Sequence, residues 1–270
     1  MSDRLAALQQ FDDSRAGVKG LVDAGITTIP SFFHHPRPLL PPSAPAAPLS
    51  IPTVDLSLPR PAAVDLVRTA ASSLGFFHVV NHPLPLPLLS RAISAFRSFN
   101  DLPPAVRSTH YSRQSAGGVS YASNFDLFRS PAATWRDTLQ ITWAPGVPDT
   151  SRIPEACRRE LVELEEGVKE VGRIVMELLA EGLGAESGRL EGMTCLEGRQ
   201  MVCHYYPWCP EPERTRGLAE HTDPGVVTLL AQDGVGGLQV KWEGEDGHAG
   251  GWTWSRWRGR CSSTSEICSR

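Results

Sequence analysis

The sequence has no long hydrophobic run: no segment approaches the roughly eighteen apolar residues that a membrane-crossing helix needs. It also has no basic stretch. Its 26 Lys and Arg are scattered and outnumbered by 30 Asp and Glu, for a net charge of −4, so nothing marks a nucleic acid or an anionic membrane as partner. There is no Cys-x-x-Cys pair among Cys157, Cys195, Cys203, Cys209, Cys261 and Cys268, which argues against a structural zinc site. The opening MSDRLAALQQFDDSRAGVKG has acids and no continuous apolar core, unlike a secretory signal or a transit peptide. Reduced thiols and a cytoplasmic location are the expectation. What is present is ordinary globular material: 270 residues, 41% hydrophobic and 21% charged, enough to bury a sizeable core. Many of the 23 prolines crowd into residues 30–62 and 83–104, as linker and turn chemistry.

Along the chain, the spacing of Val18, Leu21 and Val22 before Gly25 predicts a short amphipathic helix between Asp12 and Ile29. Residues 36–50 read as a Pro-rich linker, ending at a short strand around Ile51, Val54 and Leu56. Val64, Val67, Ala70, Ala71 and Leu74 then share one helical face, and Gly75 releases the chain into the buried strand FFHVV. From Pro154 to Leu183, apolar residues recur three and four apart (Leu161, Leu164, Val168, Val171, Val175, Leu178) with Gly184 beyond, predicting a long amphipathic helix. After residue 198, RQMVCHYY, GVVTLLAQ and GLQVKW are short β-rich runs between turns. The coarse plan is a helix-rich part to about residue 185 and a β-rich part after it.

In AEHTDPGVVTLL, His221 and Asp223 lie two apart at a strand entry, so both side chains project from one face. An imidazole and a carboxylate suit a borderline divalent metal, and two His with one carboxylate on one octahedral face is the non-haem Fe(II) arrangement. His-x-Asp alone is a weak signal, and a polar turn before a strand explains it equally. Upstream stands His204-Tyr205-Tyr206-Pro207, where a phenol beside a metal could donate to an anionic cosubstrate or simply be buried in a sheet.

These pieces together resemble the plant 2-oxoglutarate and Fe(II)-dependent dioxygenases related to 1-aminocyclopropane-1-carboxylate oxidase, in particular the subgroup of its homologues. The likeness rests on AGVKGLVDAGITTIPSFF, IPTVDLS, GFFHVVNH, YASNFDLFRSPAATWRDTLQ, HYYPWCPEPE, GLAEHTDPGVVTLLAQD and GGLQV, and so spans nearly the whole chain. It implies an α+β protein, with a helical N-terminal domain before a double-stranded β-helix (jelly-roll) core. It also implies Fe(II) held by His221, Asp223 and a distal histidine, 2-oxoglutarate as cosubstrate with O₂, and Tyr206 beside His204 at the cosubstrate carboxylate. No catalytic residue beyond the metal ligands is implied. The substrate expected is a small secondary metabolite, with Tyr121, Asn124 and Phe125 as a pocket wall or as structural residues.

The chain departs from the family pattern in places. The motif's asparagine is His204, and the glycine after the Val-Val-Asn-His strand is Pro83. Past residue 250 neither the distal histidine nor the Arg-x-Ser clamp of the cosubstrate occurs. His248, in EGEDGHAGG, is too close to His221 to match the distal ligand and reads as a loop residue. The tail GWTWSRWRGRCSSTSEICSR has no usable period. One permissible codon choice for it, read two bases on, encodes VDVEPVEGALLVNVGDLLQ, which is similar to the family's next stretch, so a displaced frame near residues 247–252 is expected. The resulting plan is residues 1–50 as N-terminal helix and linker, 51–185 as the N-terminal dioxygenase region, 198–246 as a partial jelly-roll, incomplete at its C-terminus, and 247–270 as an aberrant tail. Two functions follow: an Fe(II) and 2-oxoglutarate-dependent hydroxylase, or an inactive member of that family. A metal-dependent hydrolase would fit the His-x-Asp pair but not the motifs around it.

Overall fold

A computed structural model describes residues 3–36, 51–243, 249–253 and 265–269. Its elements, in chain order, begin with helices α1 (Asp3–Asp13) and α2 (Gly17–Asp23) and a 3₁₀ turn at Ser31–Phe33. Strand β1 (Thr53–Asp55), helix α3 (Arg60–Ser73), strand β2 (Phe76–Val80) and helices α4 (Leu86–Asn100) and α5 (Pro104–His110) follow. Strands β3 (Ser112–Ala116), β4 (Val119–Ser123) and β5 (Asp137–Thr142) precede the long helix α6 (Glu155–Gly182), the short α7 (Arg189–Gly192) and strand β6 (Gln200–Tyr205). The last strands are β7 (Val227–Leu230), β8 (Gln239–Glu243), β9 (Ala249–Thr253) and β10 (Ser265–Ser269). The protein is therefore α+β.

These elements form two compact units, each assembled from separated stretches: Met1–Leu39, Ser94–Val162 and Gly198–Thr222 in the first, Leu40–Ile93, Glu163–Glu197 and Asp223–Arg270 in the second. In the first unit β3, β4, β5 and β6 make an antiparallel sheet in that order. Leu8, Phe11, Val18, Ile29, Phe32, Phe33, Leu127, Ala133 and Trp135 form one of its cores. Its aromatic rings meet edge to face, Phe11 with Phe33 at 5.6 Å and Phe33 with Trp135 at 5.0 Å between centroids, the geometry their quadrupoles favour.

In the second unit, β1 runs parallel to β2, and β10 lies antiparallel between β2 and β7. β8 and β9 form a separate hairpin. Helix α3 starts with proline in its first turn, where no backbone donor is needed. It stops before Gly75, whose φ of +72° lets the chain turn straight into β2. Its Val67 and Ala70 pack with Phe77 and Val79 of β2 and with Val171, Val175 and Leu178 of α6. The three-and-four spacing of α6 is thus the stripe by which it joins a core within its own chain.

Several expectations are met within a residue or two: α3 with its Gly75 exit, β2, α6 and the strands of RQMVCHYY, GVVTLLAQ and GLQVKW. The helix expected over Asp12 to Ile29 is shorter, since α2 ends at Asp23. A further helix, α1, precedes it. The expected change from helical to β texture near residue 185 is not how the strands are distributed: β3, β4 and β5 lie between residues 112 and 142, and β6 completes their sheet. His248 and most of the tail lie outside the described residues. Within the tail, β9 pairs with β8, and β10 occupies an inner position of its sheet although its sequence shows no strand period.

Candidate functional site

The first unit's sheet is tied to its helices by a buried carboxylate. Asp137, the first residue of β5, has no solvent exposure. It accepts hydrogen bonds from the backbone N–H groups of Val18 and Lys19, each at 2.8 Å, and from the Ser123 hydroxyl. Those two N–H groups belong to the first turn of α2, which has no side-chain cap of its own. Asp137 therefore serves as the cap from 119 positions away in sequence. Burial raises the pKa of its carboxyl above the ordinary value, and the three donors offset only part of that rise. Gly17 is required here: its φ is +69°, and a Cβ would fall 2.8 Å from the carboxylate.

One residue earlier, Arg136 opens a second cluster. Its Nη1 donates to the Gly217 carbonyl at 3.1 Å. Gly217 in turn lies flat on Tyr206, since a Cβ there would come within 2.8 Å of two atoms of the phenol ring. The neighbouring Trp135 fixes the same strand end, its backbone N–H bonded to the Arg216 carbonyl at 2.7 Å and its indole donating to the carbonyls of Pro207 and Trp208. On β6, His204 faces Thr138 of β5 in register, with its Nδ1 2.9 Å from the threonine hydroxyl. The His204 and Tyr206 rings are 5.9 Å apart. His204, Tyr206, Arg136 and Gly217 thus form one group. Desolvation raises the pKa of the Tyr206 hydroxyl, with the charge of Arg136 acting in the opposite direction.

His221 follows Gly217 by four residues and is exposed, with its Nδ1 2.8 Å from the Ala219 carbonyl. With a carbonyl as acceptor Nδ1 is the donor, the arrangement in which a metal-ligating histidine is held by its second nitrogen. Asp223 is also exposed and is described with the second unit, since the division falls after Thr222. No group of three metal-ligating side chains occurs among the described residues. Tyr121 and Asn124 are committed to internal packing. Tyr121 is buried against Phe99 with its hydroxyl donating to Asn100, and Asn124, at φ +52°, bonds both the backbone N–H and the carbonyl of Thr134. An open cavity of about 430 Å³ in this unit, lined by Leu102, His110, Pro154 and Arg158 among others, contains none of the expected site residues. Arg136 is the residue that sequence reading passed over: it stands in the quoted TWRDTLQ block, yet as one of 26 basic residues nothing singled it out.

Comparison with known proteins bears on what this group does. The profile of the non-haem dioxygenase N-terminal region found in morphine synthesis matches residues 51–162, and that of the 2OG-Fe(II) oxygenase superfamily matches residues 197–254. The chain is 41% identical over 249 residues to a probable 2-oxoacid dependent dioxygenase of Arabidopsis thaliana, covering 90% of this chain and 69% of that one. It is 42% identical over 248 residues to 1-aminocyclopropane-1-carboxylate oxidase homolog 1 of the same plant, covering 88% and 67%. Among solved structures, JOX2 in complex with 2OG, Fe and JA superposes with a TM-score of 0.77 at 24% identity, over 94% of this chain and 72% of that one. The dioxygenase for auxin oxidation in rice superposes with a TM-score of 0.62 at 21% identity, over 82% and 71%. These likenesses establish the helical and jelly-roll oxygenase fold.

Proposed function

Because the chain belongs to the 2OG-Fe(II) oxygenase superfamily, alongside the 1-aminocyclopropane-1-carboxylate oxidase homologues, we propose that it is an Fe(II)- and 2-oxoglutarate-dependent dioxygenase acting on a small organic molecule with O₂. The observation that carries the residue assignment is His221 with its Nδ1 on the Ala219 carbonyl, which presents Nε2 as a metal donor. Asp223, two positions on, supplies the carboxylate of the pair. Their donor chemistry fits two positions of a facial Fe(II) site. Bound iron would supply the oxidising chemistry, splitting O₂ while 2-oxoglutarate is decarboxylated to succinate. The protein's own residues have the remaining work. Tyr206, with His204 beside it, donates to the cosubstrate carboxylate, and the Thr138 hydroxyl holds the His204 ring in place.

The family profiles over 51–162 and 197–254 support an N-terminal dioxygenase region at 51–185 and a partial jelly-roll at 198–246; residues 1–50 are the helix and linker of this plan, and 247–270 its tail, into which the second profile runs as far as residue 254. A cytosolic setting belongs to the same reading, and the described Cys157, Cys195, Cys203 and Cys209 are all unoxidised thiols. The second reading, an inactive member of the family, is favoured by one observation: among the described residues no third ligand joins the pair, and a site short of one donor binds metal weakly.

One experiment decides between them. The chain is loaded anaerobically with Fe(II), and succinate formed from 2-oxoglutarate is measured after O₂ is admitted. Succinate production that is lost in His221→Ala and Asp223→Ala supports the dioxygenase. Its absence at stoichiometric iron refutes it for this chain and leaves the inactive member.

A further inference from the structure

Strand β6 ends at Tyr205, so residues 207–219 carry Tyr206 at one end and His221 at the other without belonging to a sheet. The regular piece within them is a 3₁₀ turn at Pro212–Arg214. Pro207, Pro210 and Pro212 restrict single backbone angles, but they donate no hydrogen bonds and cannot by themselves hold the loop in place. A connection of this kind moves unless its backbone and side chains are tied to other parts of the chain.

The ties come from two places. Trp135 holds both ends, its indole N–H on the carbonyls of Pro207 at 3.1 Å and Trp208 at 3.2 Å, its backbone N–H on the Arg216 carbonyl at 2.7 Å. The outer turn is held by the N-terminal segment. Oε2 of Glu211 accepts the backbone N–H of Ile29 at 2.8 Å across 182 positions of sequence, and the His35 N–H donates to the Arg214 carbonyl at 2.8 Å. Cys209 packs on the core that contains Ile29, Phe32, Phe33 and Trp135. That segment is joined in turn to the strand end, with the Ala133 N–H on the Phe32 carbonyl at 2.8 Å and the Phe33 ring edge-on to Trp135. Segment, strand end and loop thus form a closed circuit of contacts. The Glu211 side chain, 17% exposed, divides its oxygens within it: Oε2 takes Ile29 and Oε1 pairs with the more exposed Arg214 at 3.2 Å.

We propose that Glu211 is a positioning residue: by accepting the Ile29 N–H it makes the N-terminal segment a strut for the loop, and so holds Tyr206 against Gly217 for the reaction. The functional meaning rests on the reading of Tyr206 and His221 as cosubstrate and metal donors. Ile29 is buried, and its N–H needs an acceptor. Without Glu211, water reaches that N–H only if segment and loop part, which releases the chain between Tyr206 and His221. A misplacement of about 1 Å in a donor can cost about 10²-fold in rate. What the position requires is an oxygen at the reach of Oε2, since the pair with Arg214 is an i,i+3 contact open to water and contributes little.

The test compares the full chain with Glu211→Ala, with Glu211→Gln, which keeps an oxygen at the same reach, and with Arg214→Ala, which removes the ion pair alone. In the metal-free protein, ring-¹³C tyrosine labels four residues, and the Tyr206 signal is identified by its loss in Tyr206→Phe. Deuterium uptake of residues 207–220 is followed by mass spectrometry. Glu211→Ala should move the Tyr206 signal towards its position in urea and speed exchange of the loop about tenfold, while Glu211→Gln and Arg214→Ala keep wild-type values. With iron loaded, the KM for 2-oxoglutarate should rise about fivefold or more in Glu211→Ala, kcat should change less, and Glu211→Gln should restore both. The proposal is overturned if folded Glu211→Ala keeps the wild-type Tyr206 signal and loop exchange, if Glu211→Gln behaves as Glu211→Ala does, or if Arg214→Ala displaces Tyr206 equally. Should Glu211→Ala not fold, Glu211→Asp, which keeps the charge and shortens the reach, takes its place: Glu211→Gln near wild type with Glu211→Asp displaced supports the strut, and any other order overturns it. If the wild-type chain forms no succinate, the dioxygenase reading fails, and the tyrosine signal and loop exchange still decide whether Glu211 positions Tyr206.

Discussion

Replacing Asp137 with alanine removes the carboxylate that caps α2, and the structure allows the loss to be worked out. Three donors converge on the carboxylate: Val18 N–H, Lys19 N–H and the Ser123 hydroxyl. Val18 N–H is shared with Ser123 Oγ at 3.1 Å, so it keeps an acceptor after the substitution, and the hydroxyl can turn. Lys19 N–H keeps none. One buried donor left without a partner costs about 1–3 kcal/mol, and hydrogen bonds to a charged acceptor contribute about 1.5–3 kcal/mol each. Against this stands the recovered cost of burying a carboxylate. The balance is a loss of about 3 kcal/mol, a large share of the roughly 5–15 kcal/mol that holds a domain folded. Asp137→Asn should lose about half of that, because its oxygen can still accept while its NH₂ confronts a backbone donor. Asp149, which caps the exposed turn at Thr150–Arg152, is the control, and Asp149→Ala should leave the unfolding midpoint in place. Urea unfolding followed by tryptophan fluorescence and circular dichroism measures all three. A loss under about 1 kcal/mol in Asp137→Ala, or equal effects of Asp137→Ala and Asp149→Ala, would refute the assignment of Asp137 as the cap.

Three further outcomes are expected. Gly17→Ala should destabilise the chain by about 2 kcal/mol or more in the same assay, because a left-handed backbone costs about 1–2 kcal/mol for an L-residue and the new methyl meets the Asp137 carboxylate at 2.8 Å. Wild-type stability in Gly17→Ala would show that the close approach is not needed. Asp23 has a native pKa below its ordinary value of 3.8: burial raises it, but hydrogen bonds from Lys19 and Arg107 more than offset that. Its contribution to stability is therefore present above pH 4 and lost as pH falls through the lowered native value, so acid unfolding should be less steep in Asp23→Asn, and parallel profiles would count against the pairing. The Cys157 thiol, fully buried and pushed up to about 12, should resist iodoacetamide at pH 8 in the native chain and react in urea, as mass spectrometry would show.

The elements that were legible in the sequence are those whose signal is local. Helix α6 carries its own stripe of apolar residues, and α3 ends at a glycine that the turn into β2 requires. The motifs around His221, Asp223 and Tyr206 were legible for a different reason, since family likeness lies in the order of residues and needs no coordinates. Helix α1 was missed because only Leu8 and Phe11 are buried along it, too few to make a period, and their burial depends on Phe32, Phe33 and Trp135 arriving from elsewhere. Strand β10 was missed because pairing with β2 and β7, not its composition, makes it a strand.

The sequence by itself determined the family, the helices α3 and α6 and the residue types offered to a metal; the 15-residue α4 was not foreseen. Tertiary structure alone decided that Asp137 caps a helix 119 residues away and that Arg136, Gly217 and Tyr206 form one group. The physical reason is that a charged side chain's role depends on what replaces its water once it is buried, and that replacement comes from parts of the chain no local pattern connects.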